Sequence, residues 1–264
     1  VPTAIVCVPV DGLTEGILIF EGTSKILGFE SRLTSLLGNL KEHIVAAFIK
    51  SKILYDLRAK NSIIEKYAEL TQKQLNAIQK DLETAGKIQH AILPNPEEEL
   101  CAIQQINVCA KMLAAKNVGG DFYDFFVIDS NRVGLVVADD SGKGMPAALF
   151  MAVSRTMLKS HALQGSSPGE VLEIVNNLLC KENVSTMFVT IFYGIINIDD
   201  GVIQYSNGGH NLPYILRSNG DVEILKKTRG MGLAIMEDMP FETAELRLNP
   251  KDVLFMYTDG APEA

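Results

Sequence analysis

Three short acidic motifs, far apart in the chain, each come where an apolar strand is predicted to end. They are Val118-Gly119-Gly120-Asp121, Ala138-Asp139-Asp140-Ser141-Gly142 and Tyr257-Thr258-Asp259-Gly260. A buried carboxylate is costly unless it is paired with a cation, and no Arg or Lys recurs beside all three motifs. Carboxylate oxygens are the ligands that hard cations prefer. The motifs therefore predict a site for Mg²⁺ or Mn²⁺.

The composition bounds the class of protein. The chain has 264 residues, of which 47% are hydrophobic and 21% charged, so it can bury the core of one large or two smaller domains. A net charge of -8 without a basic tract argues against nucleic acid as a partner. No apolar run reaches the roughly 18–20 residues of a membrane span. Four scattered cysteines without a C-x-x-C pair predict free thiols in a reducing compartment, and hence a cytoplasmic protein.

The first 94 residues predict a small sheet followed by a long helix. Residues 4–10 and 16–20 have the pattern of two strands around Asp11-Gly12. From Leu54 the spacing becomes heptad, and residues 54–92 predict a parallel homodimer through a coiled-coil seam. Polar seam residues, Asn61, Thr71 and Gln89, weaken it and can set register or allow switching. The alternative is a long helix packed on its own domain. Pro94 ends the helix.

Residues 95–264 alternate strands and helices, which predicts an α+β fold with a central antiparallel β-sandwich. Helices are predicted over 145–163 and 168–179. The capping pair Ser166-Ser167 precedes the second helix. Strands are predicted over residues 106–114, 122–128, 133–138, 187–198, 202–206, 212–217, 222–225, 242–248 and 253–257.

Other polar residues near the acidic motifs allow more than one interpretation. The turn from Ser141 to Gly144 can direct its amides at an anion where the next helix begins. Lys143 could assist a phosphate, although an exposed lysine is the commoner case. His210 could be a general acid, but a structural hydrogen-bonding role is favoured.

Together these motifs resemble the metal-dependent protein Ser/Thr phosphatases of the protein phosphatase 2C-like family. The similarity is greatest to the bacterial branch with the sporulation stage-II-E phosphatase and the sigma-factor regulators. It covers the chain from about residue 83 to the C-terminus. The residues that carry it are 88–94, 119–124, 138–149, 187–190, 208–211 and 257–260. A weaker resemblance links residues 1–50 to the end of a GAF-type sensor domain.

The resemblance implies both the site and the reaction. Asp121, Asp139 and Asp259 would be catalytic metal ligands, and Asp140 would add its backbone carbonyl. Two Mn²⁺ or Mg²⁺ ions would activate a water that attacks phosphorus. The substrate would be a phosphoserine or phosphothreonine protein, in this branch a small anti-sigma-factor antagonist. The implied domains are a partial sensor at 1–50, a dimeric helical linker at 51–94 and an αββα phosphatase domain at 95–264.

Three departures from the family pattern support other interpretations. Asp140 stands where an apolar residue is usual, and Ala261-Pro262-Glu263 replaces Val-Thr-Glu. Family members continue with a strand whose Asp-Asp motif supplies another metal ligand. The chain ends at Ala264, before such a strand, so we expect it to be a piece of a longer enzyme. The alternative is a catalytically silent dimeric scaffold with a degenerate phosphatase fold. A third reading is a metal-dependent phosphohydrolase acting on small molecules.

Overall fold

The computed structural model describes residues 3–10, 13–21, 29–95, 99–100, 103–112, 117–183 and 186–261. Internal contacts divide the chain into two units, Val1–Ala77 and Ile78–Ala264. The predicted domain boundaries near residues 50 and 94 stay predictions. No helix in the described residues is both long and apolar enough to cross a membrane. Cys109 and Cys180 are free thiols, as expected.

The first unit contains a strand pair and most of one long helix. Strand β1 (Thr3–Val10) pairs antiparallel with β2 (Leu13–Glu21), as predicted, whereas the predicted turn at 11–12 lies outside the described residues. Helix α1 (Phe29–Ile92) runs for 64 residues and ends before Pro94, as the sequence predicts. Apolar side chains at the predicted seam are exposed, among them Leu54, Leu57, Ile64 and Leu75. The coiled-coil dimer stays a prediction.

Besides the end of α1, the described residues of the second unit form two long helices and two antiparallel sheets. In chain order the elements are β3 (Phe122–Val127), β4 (Arg132–Asp140), α2 (Met145–Ala162), α3 (Pro168–Glu182), β5 (Val189–Asn197), β6 (Val202–Gly208), β7 (Tyr214–Leu216), β8 (Val222–Ile224), β9 (Ala244–Arg247) and β10 (Val253–Phe255). The larger sheet has the order β3-β4-β5-β6-β9, and the smaller sheet has the order β10-β7-β8. These bounds agree closely with the predicted helices and strands.

The two faces of the larger sheet bury different partners. Successive residues of a strand point to opposite faces. Ile191 and Tyr193 of β5 pack with helix residues such as Leu158 and Leu172. Phe192 packs instead with Ile215 of the smaller sheet. The α+β class and the antiparallel sheets are thus confirmed. In the described residues the helices cover one face, so the second helical layer of the predicted αββα sandwich stays a prediction.

One predicted strand is wrong. Residues 103–112 are described and form no strand, and residues 113–114 of the predicted span lie outside the described residues. Ile106, Val108 and Ala110 are partly buried against the core beneath β3 and β4. Their alternation therefore reflects packing of an extended segment on the core. It does not reflect pairing in a sheet ladder.

Candidate active site

The structure brings the three predicted carboxylates together at one edge of the larger sheet. Asp121 comes directly before β3, and Asp139 is the penultimate residue of β4. Asp259 follows β10 after a short segment. The Asp139 side chain lies within electrostatic reach of both Asp121 and Asp259. These residues come from three separate segments, so the fold itself assembles the group.

The electrostatics of this group fit a cation. Burial, followed by the hydrogen bond and charge of Asp121 and the charge of Asp259, raises the pKa of Asp139 to about 7, while Lys143 opposes the rise. Mutual repulsion of this kind is offset when a divalent ion binds between the oxygens. Within the described residues, no group of three or more His, Cys, Asp or Glu side chains has the geometry of a metal-binding cluster. The donor chemistry fits Mg²⁺ or Mn²⁺, and ligation by these residues stays a prediction.

Asp140 differs from its neighbour because its side chain is buried. It is 2% exposed, and neither carboxyl oxygen has a hydrogen-bond partner among the described residues. Burial, followed by the charges of Asp139 and Asp121, raises the pKa of Asp140 to about 9. Its backbone carbonyl lies beside Gly120, where an added Cβ would come within 2.9 Å of it. The side chain is therefore neutral at pH 7, and the carbonyl is the group beside the Asp121 loop.

Hydrogen bonds connect the Tyr257-Thr258-Asp259 segment to the rest of the site. The Thr258 hydroxyl donates to Asp121 Oδ2 at 2.6 Å. His210 Nε2 donates to the Tyr257 carbonyl at 3.0 Å, and its Nδ1 lies 2.9 Å from Thr190 Oγ1. Burial lowers the pKa of His210, which favours the neutral ring, while the Tyr257 hydrogen bond and the charges of Asp121 and Asp259 oppose this shift. Nε2 thus contacts the segment and Nδ1 contacts β5, an arrangement that fits the structural hydrogen-bonding role favoured from the sequence.

The turn after β4 is held against the start of β5. Ser141 N donates to the Phe188 carbonyl at 2.7 Å, and Phe188 N donates to Ser141 Oγ at 2.8 Å. Gly142 and Gly144 have φ angles of 101° and 80°, which side chains disfavour. Lys143, between these glycines, is exposed, yet its charge acts on Asp139. Both interpretations of Lys143 therefore remain compatible with its position.

Gln89 is a site residue that the sequence did not reveal. Its amide donates to the Gly119 carbonyl at 2.6 Å, and Gly119 N donates back to Gln89 Oε1 at 3.1 Å. Gln89 is 6% exposed, and an added Cβ on Gly86 would lie 2.3 Å from the Asn117 carbonyl. The last turns of α1 therefore pack on the loop that leads to Asp121. The heptad pattern predicted Gln89 only as a polar residue of the coiled-coil seam.

Two known proteins have similar sequences over most of this chain. Protein IcfG of Synechocystis is 30% identical over 78% of this chain and 36% of its own length. Phosphoserine phosphatase RsbU of Bacillus subtilis is 29% identical over 70% of this chain and 54% of its own length. The chain thus spans about half or less of these two relatives.

A solved structure and a family model complete the comparison. The SiaA-PP2C domain of Pseudomonas aeruginosa superposes with a TM-score of 0.56 over 68% of this chain and 71% of that one. At 20% identity, this likeness shows the fold alone. Residues 129–264 match the family model described as Stage II sporulation protein E (SpoIIE), which is more than half of the chain. The chain therefore belongs to the SpoIIE family, in the sporulation and sigma-factor-regulator branch of the protein phosphatase 2C-like proteins that its motifs resemble.

Proposed function

We propose that this chain carries a metal-dependent phosphatase that hydrolyses phosphoserine or phosphothreonine in a protein. The observation that supports it most directly is the convergence of Asp121, Asp139 and Asp259 from three segments. A relative named as a phosphoserine phosphatase, RsbU, supports the same reaction class. Among the described residues, the two free thiols, Cys109 and Cys180, both lie outside the acidic motifs, so the motifs supply carboxylates and not a thiol nucleophile.

In this proposal each residue has a defined task. Asp121, Asp139 and Asp259 hold Mn²⁺ or Mg²⁺, with the Asp140 carbonyl as a further oxygen ligand. The bound ions supply Lewis acidity and lower the pKa of water, so that hydroxide is available at neutral pH. Thr258 fixes the orientation of the Asp121 carboxylate through its hydrogen bond. Lys143 contributes positive charge at the edge of the site, which favours a phosphate monoester.

The same proposal includes control from the N-terminal side. A partial sensor over residues 1–50 would act on the phosphatase domain over 95–264 through a homodimeric linker at 51–94. The contact between Gln89 and Gly119 gives the linker helix a direct path to Asp121. The protein partner would be a small anti-sigma-factor antagonist in the cytoplasm. The exposed apolar side chains of α1 support a second copy as the linker's partner.

The reaction is tested with p-nitrophenyl phosphate at increasing Mn²⁺ or Mg²⁺. The wild-type chain should turn over only with metal, and Asp139→Ala should be inactive while keeping its circular dichroism spectrum. Asp200→Ala removes an exposed turn carboxylate and is the matched control, expected to retain activity. Turnover that needs no metal, or wild-type turnover by Asp139→Ala, would overturn the proposal. A folded wild-type chain that is inactive with every metal, and on phosphoserine peptides, would favour the silent scaffold.

The dimer is tested by charge insertion in α1. Leu75→Asp or Leu82→Asp would bury a carboxylate in the predicted seam, so we expect each variant to dissociate to monomers in light scattering. Ile63→Asp is the matched control, because Ile63 is an exposed apolar residue of the same helix that lies off the predicted seam. A Leu75→Asp chain that stays dimeric would contradict the assigned seam.

A further inference from the structure

A small apolar surface lies on the loop between β8 and β9. Ile235 and Met236 are 50% and 55% exposed, and Phe188 beside them is 39% exposed. A Cβ placed on Gly232 would lie 3.1 Å from Ile235 Cδ1 and 3.3 Å from Phe188 Cδ2. The two side chains therefore flank the same glycine. We call Phe188, Ile235 and Met236 the rim patch.

Buried asparagine side chains hold the backbone of the rim patch. Asn176 is fully buried, accepts a hydrogen bond from Ala234 N at 3.0 Å and donates to the Met236 carbonyl at 2.9 Å. Asn183 donates to the Ala234 carbonyl at 3.1 Å and to the Met187 carbonyl. The main chain on either side of Ile235 is thus fixed from within the domain. Its side chain is nevertheless directed to solvent.

The backbone itself adopts a conformation that side chains disfavour. Ala234 has a φ of 68° and Asp238 a φ of 57°, both in the left-handed region. Asp238 is held there by a reciprocal pair of hydrogen bonds with Asn177. Non-glycine residues persist in this region only where their surroundings enforce it, and such residues cluster at functional sites. The fold therefore maintains a rigid loop that exposes large apolar groups.

The rim patch is close to the carboxylate site. Val189 pairs with Asp140 on one side and bridges to Leu233 on the other. Neighbouring strands are about 4.8 Å apart, so the Leu233 backbone lies roughly 10 Å from that of Asp140. An extended peptide advances about 3.3 Å per residue, so three or four residues cover this distance. Phe188 is nearer still, because its backbone bonds directly to Ser141.

We propose that the rim patch binds an apolar side chain of the substrate protein, three or four residues from its phosphoserine. This inference rests on the proposed phosphatase function and names a feature of its substrate. The occupant follows from position, because a polypeptide that brings a phosphoserine to Asp139 must extend across the neighbouring surface. A rigid apolar surface favours apolar partners at low entropic cost. The phosphatase thereby selects its substrate by sequence near the phosphoserine.

The test uses two phosphoserine peptides of equal length and charge. One has leucine at the third and fourth positions on both sides of the phosphoserine, and the other has serine there. Wild type should hydrolyse the leucine peptide with a kcat/KM roughly tenfold higher, as expected for burial of one or two apolar side chains. The double variant Ile235→Ser/Met236→Ser should lose this ratio. Leu163→Ser should keep it, because Leu163 is an exposed leucine at the far end of α2.

Binding separates failure of docking from failure of catalysis. Fluorescence anisotropy of the two labelled peptides on the Asp139→Ala chain measures docking without turnover, and the leucine peptide should bind roughly tenfold more tightly. Adding Ile235→Ser/Met236→Ser should abolish the difference. Equal affinity for both peptides on the Asp139→Ala chain, or an unchanged preference in the double variant, would overturn the proposal. Turnover of p-nitrophenyl phosphate by wild type reports on the phosphatase function alone.

Discussion

The two ends of strand β10 carry carboxylates in opposite electrostatic settings. Asp252, before the strand, accepts hydrogen bonds from Arg217, Ser218 N and Asn249 N, and its pKa falls to about 2. Asp259, after the strand, adds its negative charge to Asp121 and Asp139. One end satisfies its carboxylate within the chain, whereas the other gathers carboxylates that repel one another. Carboxylates gathered in this way are typical of functional sites.

The largest expected effect is that of metal removal, which should act on the carboxylates after β10 and not on Asp252 before it. With EDTA, turnover should fall to the background rate, and added Mn²⁺ should restore it. Metal at about 100 times its Kd should also stabilise the fold by about 2.7 kcal/mol, because it binds only the folded site. Calorimetry with and without Mn²⁺ measures this. Asp252→Asn should keep the full metal response, and Asp139→Asn should lose it. An equal metal response in both variants would contradict the assignment of metal binding to Asp139 and not to Asp252.

A substitution of Gln89 tests how the loop that leads to Asp121 is held in place. Gln89→Leu removes both hydrogen bonds to Gly119, and the loop before Asp121 loses its anchor. Residues that orient metal ligands typically change metal affinity by about ten- to a hundredfold, so the Mn²⁺ concentration for half-maximal activity should rise by that factor. Gln79→Leu, an exposed glutamine on the same helix, is the control. An unchanged Mn²⁺ requirement in Gln89→Leu would show that the hydrogen bonds between Gln89 and Gly119 do not act on the site.

The pH dependence of the metal-free protein should reveal the raised pKa of Asp139. Asp139 has a pKa raised from 3.8 to about 7, chiefly by burial and then by Asp121 and Asp259. Its stabilising contribution is therefore complete below about pH 3.8 and is lost as the pH rises through about 7. Urea midpoints in EDTA should fall between pH 5 and pH 8, and Asp139→Asn should flatten that fall. A midpoint that rises across this range would contradict the assignment.

The sequence predicted most of the second unit because its signals are local. Strands such as β5 combine continuous apolar residues with turn residues at both ends, and the acidic motifs are contiguous. Residues that act through distant contacts left no such signal. Gln89 meets Gly119 across 30 residues, and Asn176 meets Met236 across 60. The strand predicted over residues 106–114 was wrong for a related reason. Its alternating apolar residues pack on the core, but residues 103–112 pair with no neighbouring strand. Pairing and burial, unlike periodicity, depend on the whole fold.

The smallest effect is expected at the satisfied end of β10. The side chain of Asp252 is 1% exposed and forms an ion pair with Arg217 at 2.8 Å. Because its folded pKa lies near 2 and the usual value is 3.8, its contribution is present above about pH 3.8 and is lost as the pH falls through about 2. Asp252→Asn should therefore lower the urea midpoint at pH 7, and the difference from wild type should shrink as the pH approaches 2. Glu223→Gln removes the other, half-exposed partner of Arg217 and should cost less, because water screens that pair. This pH dependence runs opposite to that of Asp139. If instead Asp252→Asn had the urea midpoint of wild type at every pH, the ion pair with Arg217 would contribute nothing to stability. Electrostatics would then matter only for the carboxylates that gather after β10.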